Sequence, residues 1–320
     1  MAQINKPNQY FNTIIYTGNN NQSQTISGVG FQPDWIWIKN SDNTEWHHLM
    51  DVVRGDNKFL HTNNTNAEST GNRGNGHNAL AFTSDGFSIT NATQEDGDLN
   101  FGSRPYPTWC WKANGSPSSN TDGSITSNVS ANQTAGFSIV TYTGTGSNAT
   151  IGHGLNKKPD AVFFKRLDTT GGWASYHSVL GATKYMRLDS NSGEQTASDE
   201  FQNTEPTSSV ISIGTDGAVN GTSMVAYCFA NKAGFSRMGS YVGNGSNDGT
   251  FIYTGFKPAF LIYKQSSASG ESWIMHDNAR NLFNVTNKRL LANASNAEAD
   301  EPIDFLSNGF KCRTSGAFQN

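Results

Sequence analysis

The chain is poor in charge. Asp, Glu, Lys and Arg make up 15% of its 320 residues, and the formal net charge is −4 with no basic run. That excludes the clustered Lys/Arg footprint of nucleic-acid binding. Cysteine is scarce too, with three in the chain, so a dense disulfide framework is excluded. Free, buried thiols are expected, which suits synthesis in a reducing compartment. No apolar run approaches the roughly 18 residues that cross a bilayer. The first residues, Met1 to Lys6, lack the apolar stretch of a secretory signal. Helical periodicity is nearly missing. Thr65–Glu68 and Ser295–Glu298 each spell a capping box, predicting one short turn apiece. No nucleophile elbow, phosphate loop, dinucleotide fingerprint or zinc spacing occurs.

What the sequence has instead is repetition. Gly30-Phe31-Gln32-Pro33-Asp34-Trp35-Ile36-Trp37-Ile38-Lys39 is written again around Pro159 and around Pro258, ending in Lys165 and Lys264. Proline suits the start of a strand and not its middle. The apolar run that follows is short, aromatic and β-branched, so each copy predicts a buried strand. Tyr16, Tyr142 and Tyr241 each open a Tyr-x-Gly that stands 17 residues before the proline. Lys58, Lys184 and Lys288 each precede a glutamate by 10 residues. Two copies close on an aromatic strand, Thr108 to Ala113 and Val225 to Ala230. The third has none.

Repetition on this scale predicts complete small domains rather than solenoid turns. The fold class expected is all-β: three tandem antiparallel β-sandwich repeats, the third lacking its last strand. Their bounds are residues 1–113, 136–233 and 234–320, with a Ser/Asn/Gly-rich linker at 114–135 on which the first repeat swings. Either the sequence is a shortened form of a longer one, or another chain supplies the missing strand.

Three constellations could carry chemistry. The first is a recurring aromatic–histidine cluster: Trp46, His47 and His48; Trp173, Tyr176 and His177; Trp273 and His276. An exposed Trp or Tyr face stacks on a sugar ring with His as a hydrogen-bond partner; the alternative is that these rings pack the sheet. The candidate glycan-binding set is therefore Trp46, His48, Trp173, Tyr176, His177, Trp273 and His276. The second is Asp51 with Arg54 and Asp277 with Arg280, read as structural ion pairs because His177 and Leu180 stand at that place in the second copy. The third is acidic. Glu95-Asp96-Gly97-Asp98 and Asn247-Asp248-Gly249 offer oxygen ligands for Ca²⁺, though neither has the EF-hand pattern and plain turns are expected. Glu194 with Asp199-Glu200 is the weak case for a glycosidase carboxylate pair. No catalytic residue, metal ligand or cofactor is expected.

Taken together, GFQPDWIWIK, the Asp51-x-x-Arg54-Gly55 turn, SDGFSI and TWCWKA resemble a repeated β-sandwich domain of structural proteins of marine bacteriophages, of the tail-fibre-like, capsid-associated or lectin-like kind. The resemblance covers nearly the whole chain. It implies a jelly-roll or concanavalin-like sandwich and a virion location, and it carries over no catalytic residue. Copies in that family end in a strand resembling Thr-Tyr-Ile-Tyr-x-Ala-Phe-Ala, which the third copy here lacks. The expected role is a fibre, spike or capsid decoration that contacts the host surface through glycans or another receptor. The alternatives are a purely architectural cement and a polysaccharide-degrading enzyme. Expected partners are other virion proteins and further copies of the chain, with no nucleic acid and no membrane span.

Overall fold

The computed structural model describes residues 4–70, 79–90 and 99–320. The chain is all-β, with several antiparallel sheets stacked in the manner of a sandwich. In the first stretch the inner sheet runs Phe11–Thr17, Pro105–Trp111, Trp35–Lys39, His47–Asp51 in spatial order. In the second, Phe137–Tyr142, Met224–Phe229, Ala161–Arg166 and Ala174–His177 follow the same order. The strand after the proline is thus central in both, flanked by a late strand on one side and its own hairpin partner on the other. In the third stretch Phe260–Tyr263 pairs with Ile274–Asp277 alone and lies at a sheet end.

Successive side chains of a strand point to opposite faces. Trp35 and Trp37 face one core while Ile36 and Ile38 face another. Both faces are covered, which is why these strands read as continuous apolar runs instead of alternating. Each stretch has its own core behind its inner sheet. In front lies one core that all three share: Trp35, Trp109, Phe163, Trp173, Tyr227, Trp273 and their neighbours. Trp35 lies 4.4 Å from Trp111 and 4.5 Å from Tyr227, ring centre to ring centre. Aromatic pairs at such distances add stabilisation beyond area burial.

The Tyr-x-Gly motif has a physical cause. Tyr16, Tyr142 and Tyr241 donate their hydroxyls to the carbonyls of Leu99, Val219 and Gln319. Two residues on, each glycine passes hard against the chain that follows that carbonyl. A Cβ on Gly18 would stand 2.0 Å from Phe101 O, one on Gly144 2.3 Å from Gly221 O, and one on Gly243 2.2 Å from Asn320 C. Only hydrogen fits there. Beside it, Asn100, Asn220 and Asn320 each accept from the amide three residues after the tyrosine.

The polar segment 114–135 differs from the swinging linker expected of it. Ser118–Asn120 and Ser127–Asn132 are strands that extend the second inner sheet through Phe137–Tyr142. Its buried hydroxyls find partners: Ser127 Oγ donates to Gly152 O at 2.9 Å, and Ser130 Oγ accepts from Asn114 N at 2.9 Å. Satisfied in this way, a Ser/Asn-rich run orders as well as an apolar one. The two capping boxes do not form turns of helix. The carboxylates of Glu68 and Glu298 instead pair with Lys58 and Arg54 and with Lys288 and Arg280. Cys110, Cys228 and Cys312 are free and buried, as expected. The Gly/Asn-rich run Gly71 to Gly76, read from its composition as a connecting segment, lies outside the described residues.

Candidate functional site

The candidate aromatics sit where the three stretches meet. The station held by Trp173 and Trp273 is held in the first stretch by His47, not Trp46. The backbone settles this. His47, Trp173 and Trp273 N–H donate to Asn63, Asp189 and Asn293 side chains at 2.9, 2.8 and 2.8 Å. The same three rings each reach into another stretch. Trp173 Nε1 donates to His61 O of the first stretch, Trp273 Nε1 to Arg187 O of the second, and His47 Nε2 meets Leu291 O of the third, all at 2.9 Å. The latches form a closed cycle of three.

A second cycle runs alongside. Glu68 N donates to Leu167 O, Glu194 N to Ser266 O and Glu298 N to Ser41 O, at 2.9, 2.8 and 2.7 Å. Those carbonyls lie two residues beyond Lys165, Lys264 and Lys39. Each of these lysines turns its ammonium onto loop carbonyls: Lys39 onto Asn40 and Asn43, Lys165 onto Arg166 and Gly171, Lys264 onto Gln265 and Glu271. Lys165 and Lys264 also reach Thr65 O and Asn191 O of the preceding stretch. The repeated lysine therefore organises the junction, buried at Lys39 and Lys165 and half-buried at Lys264. Burial lowers Lys39 to about 7 and Lys165 to about 8.

A third set of contacts is acidic. Arg54 is held against Asp51 at 2.5 Å and Glu68 at 3.1 Å, with Asp51 wholly buried. Arg280 repeats this with Asp277 at 2.7 Å and Glu298 at 3.4 Å. Tyr227 donates its hydroxyl to Asp51 at 2.7 Å, and Trp109 donates Nε1 to Asp277 at 3.3 Å. Late strands of the second and first stretches thus lock onto carboxylates of the first and third.

The glycan-binding set is largely interior. Trp173, Tyr176, Trp273, His48 and His276 are buried, and Trp46 and His177 are half-buried. Trp46 packs edge-on against His61. Tyr176 donates to Glu205 at 2.5 Å, and His276 stacks on Tyr263. His177 Nδ1 accepts from Val179 N and closes a turn. A ring used on both faces by the core offers none to a sugar. Sequence reasoning named His47 in the cluster but left it out of the candidate set; its signal was its place four residues ahead of Asp51, as Trp273 stands four ahead of Asp277.

The remaining candidates are occupied by their own neighbours. Asp248 pairs with Lys311 at 2.6 Å. Glu194 is held by Lys184, and Glu200 by Arg187 at 2.7 Å. The acidic loop 95–98 lies outside the described residues. Among the described residues no group of three His, Cys, Asp or Glu is placed to hold a metal ion. No helix among them is long and apolar enough to cross a membrane.

The histidines make acid stability predictable. Trp37 Nε1 donates to His47 Nδ1 at 2.8 Å, so Nε2 carries the proton that Leu291 O accepts. Burial lowers His47 and His276 to about 3 and His153 to about 4. Below 6.5 the unfolded chain gains these protons and the folded one does not, so folding loses about 1.4 kcal/mol per pH unit per histidine down to the folded value. Glu200 and Glu301, raised by burial to about 7, act oppositely: their stabilisation is full below about 4.5 and fades as pH rises to 7. Between pH 6.5 and 4.5 the two glutamates offset two of these three histidines, which leaves a net loss of about 1.4 kcal/mol per pH unit. Below 4.5 the histidines run against only Asp34 and Asp189, which burial raises. Urea midpoints are expected to fall gently from pH 6.5 to 4.5 and faster below, where carboxylates lowered by their partners, Asp168 and Glu205 among them, add to the loss. A steepest loss above pH 5 would contradict this.

The fold and its junction define a class: an all-β scaffold whose three stretches are joined by hydrogen bonds from buried rings and backbone amides. The chain belongs to the family described as Domain of unknown function (DUF7483), which matches residues 6–320. One family domain thus spans all three stretches. No match is found among curated proteins or among solved structures.

Proposed function

We propose that this chain is a non-enzymatic structural protein of a bacteriophage virion that acts as an architectural cement of the capsid or tail. It is built of three tandem β-sandwich repeats of jelly-roll or concanavalin-like kind. The observation that carries the reading is the closed cycle of ring latches, which spends Trp173, Trp273 and His47 on internal joints. A receptor-binding fibre needs an exposed aromatic platform, and a polysaccharide hydrolase needs two facing carboxylates in a cleft. The candidates for both are engaged within the protein. The virion location rests on the resemblance in GFQPDWIWIK, SDGFSI and TWCWKA. Partners on this reading are other virion proteins.

Two measurements test it. Glycan-array screening of the purified chain is expected to give no saturable binding, and cryo-electron microscopy of the particle is expected to show the chain seated between shell or tail subunits. Saturable glycan binding lost in Trp46→Ala, or a chain projecting freely with sugar density against it, would reverse the reading in favour of a host-attachment protein.

A further inference from the structure

The outer sheet of the third stretch ends on Phe251–Tyr253, which pairs with Gly309–Cys312 alone. Thr250 O accepts from Cys312 N, and Thr254 N donates to Asn308 O at 3.0 Å. Hydrogen-bonded pairs alternate along an antiparallel ladder, so Thr250, Ile252 and Thr254 spend their backbone groups on that partner. Phe251 and Tyr253 lie between them and turn N–H and C=O outward, where no partner meets them among the described residues.

The matching strand of the second stretch is Ala149–Gly152, where Ile151 faces Ile211 as Ile252 faces Phe310. Its outward groups are covered. Thr150 N donates to Ser124 Oγ at 2.9 Å, Thr150 O accepts from Ile125 N at 3.0 Å, and Gly152 O accepts from Ser127 Oγ at 2.9 Å. No such segment runs beside Phe251–Tyr253 among the described residues. The closing strands Pro105–Trp111 and Met224–Phe229 enter the inner sheets of their stretches, so they have no part in this outer edge. The side chains differ as well. Where the first stretch has Thr25 and Ser27 and the second Thr150 and Gly152, the third has Phe251 and Tyr253, 44% and 65% exposed. Ile252 between them packs on the core behind. Sheet edges are commonly blunted by a lysine, a proline or a bulge, and this strand carries none of them.

We propose that this edge is a twofold interface through which two copies of the chain join, Phe251–Tyr253 against itself. The strand is its own complement. Antiparallel pairing about Ile252 sets Phe251 of each copy opposite Tyr253 of the other, and such opposed residues exchange both N–H···O bonds. The two pairs together use every outward group of the strand. Phe251 and Tyr253 then stand opposite each other twice on the outer face, a cross-strand aromatic pairing that stabilises sheets. Charge agrees with this register. It brings Asp248 of one copy alongside the segment of the other that carries Lys257, and both side chains are exposed. The contact places the same patch on both partners, so assembly through this edge stops at two. The inference stands apart from the cement reading, because it asks only for copies of the chain and glycan binding would leave it untouched.

Sedimentation velocity of the full chain over a range of concentrations tests it. A reversible monomer–dimer equilibrium is expected. Hydrogen exchange at the Phe251 and Tyr253 amides is expected to slow at least tenfold as the dimer forms, while the Ile252 amide is protected at every concentration. Phe251→Lys with Tyr253→Lys, both at exposed positions, is expected to raise the dissociation constant at least tenfold. The exchange measurement leaves the protein unaltered, so the test does not depend on the variant folding. A chain that stays monomeric at every concentration overturns the proposal. So does a dimer indifferent to both lysines, or one whose 251 and 253 amides exchange as fast as in the monomer. Protection of those amides only when a different protein is added gives the edge another occupant and overturns it too.

Discussion

Asp51→Ala is expected to destabilise the chain by about 3–5 kcal/mol, the usual cost of removing one partner from a buried ion pair. Arg54 is almost wholly buried and bonded to Asp51 at 2.5 Å, and Tyr227 donates to the same carboxylate from another stretch. The alanine leaves Glu68 as the one carboxylate against the buried guanidinium and takes the acceptor of the Tyr227 phenol away. With an unfolding entropy of about 2.1 cal/mol/K per residue, a chain of this size melts roughly 4–8 °C lower. Replacing both partners, as in Asp51→Leu with Arg54→Leu, is expected to cost less than Asp51→Ala alone, because an apolar pair of similar volume avoids the stranded charge. The second stretch already carries such a substitution in His177 and Leu180. Scanning calorimetry of the three proteins checks the order; a double variant worse than the single would refute the ion-pair account.

Trp173→Ala is expected to cost about as much, some 3–5 kcal/mol for a truncated core tryptophan. Its ring is wholly buried in the shared core, and the Nε1 bond to the buried His61 carbonyl is lost with it. Trp173→Phe keeps most of the volume and isolates the hydrogen bond, with an expected loss of about 1–2 kcal/mol. Trp46→Ala, at the neighbouring half-buried position, is expected to cost clearly less than Trp173→Ala. Denaturant midpoints rank the three. Equal costs at Trp46 and Trp173 would mean that the ring latch carries no special weight.

Much of the local structure was legible because its causes lie within a few residues. Proline followed by a short apolar run gave Trp35–Lys39, Ala161–Arg166 and Phe260–Tyr263. The ten-residue Lys–Glu spacing became ion pairs three times, Lys58 with Glu68, Lys184 with Glu194 and Lys288 with Glu298. Tyr-x-Gly marked a close backbone approach that the sequence could flag but not explain. What stayed hidden was long-range. Spacing around Trp46, Trp173 and Trp273 suggested a common surface, whereas the latch is set by a backbone register that puts His47 in line with the two tryptophans. Nothing within a single stretch shows that its aromatic ends on another stretch's carbonyl. The polar composition of 114–135 hid two strands, because hydroxyls and amides satisfied one another there.

The central claim is that the ring and glutamate cycles weld the three stretches into one body. Calorimetric unfolding of the full chain tests it most directly. The account predicts one transition with calorimetric and van't Hoff enthalpies equal, near roughly 220 kcal/mol at about 60 °C from a typical 0.7 kcal/mol per residue. Two or three resolved transitions, with one of them unmoved by Trp173→Ala and Asp51→Ala, would contradict it.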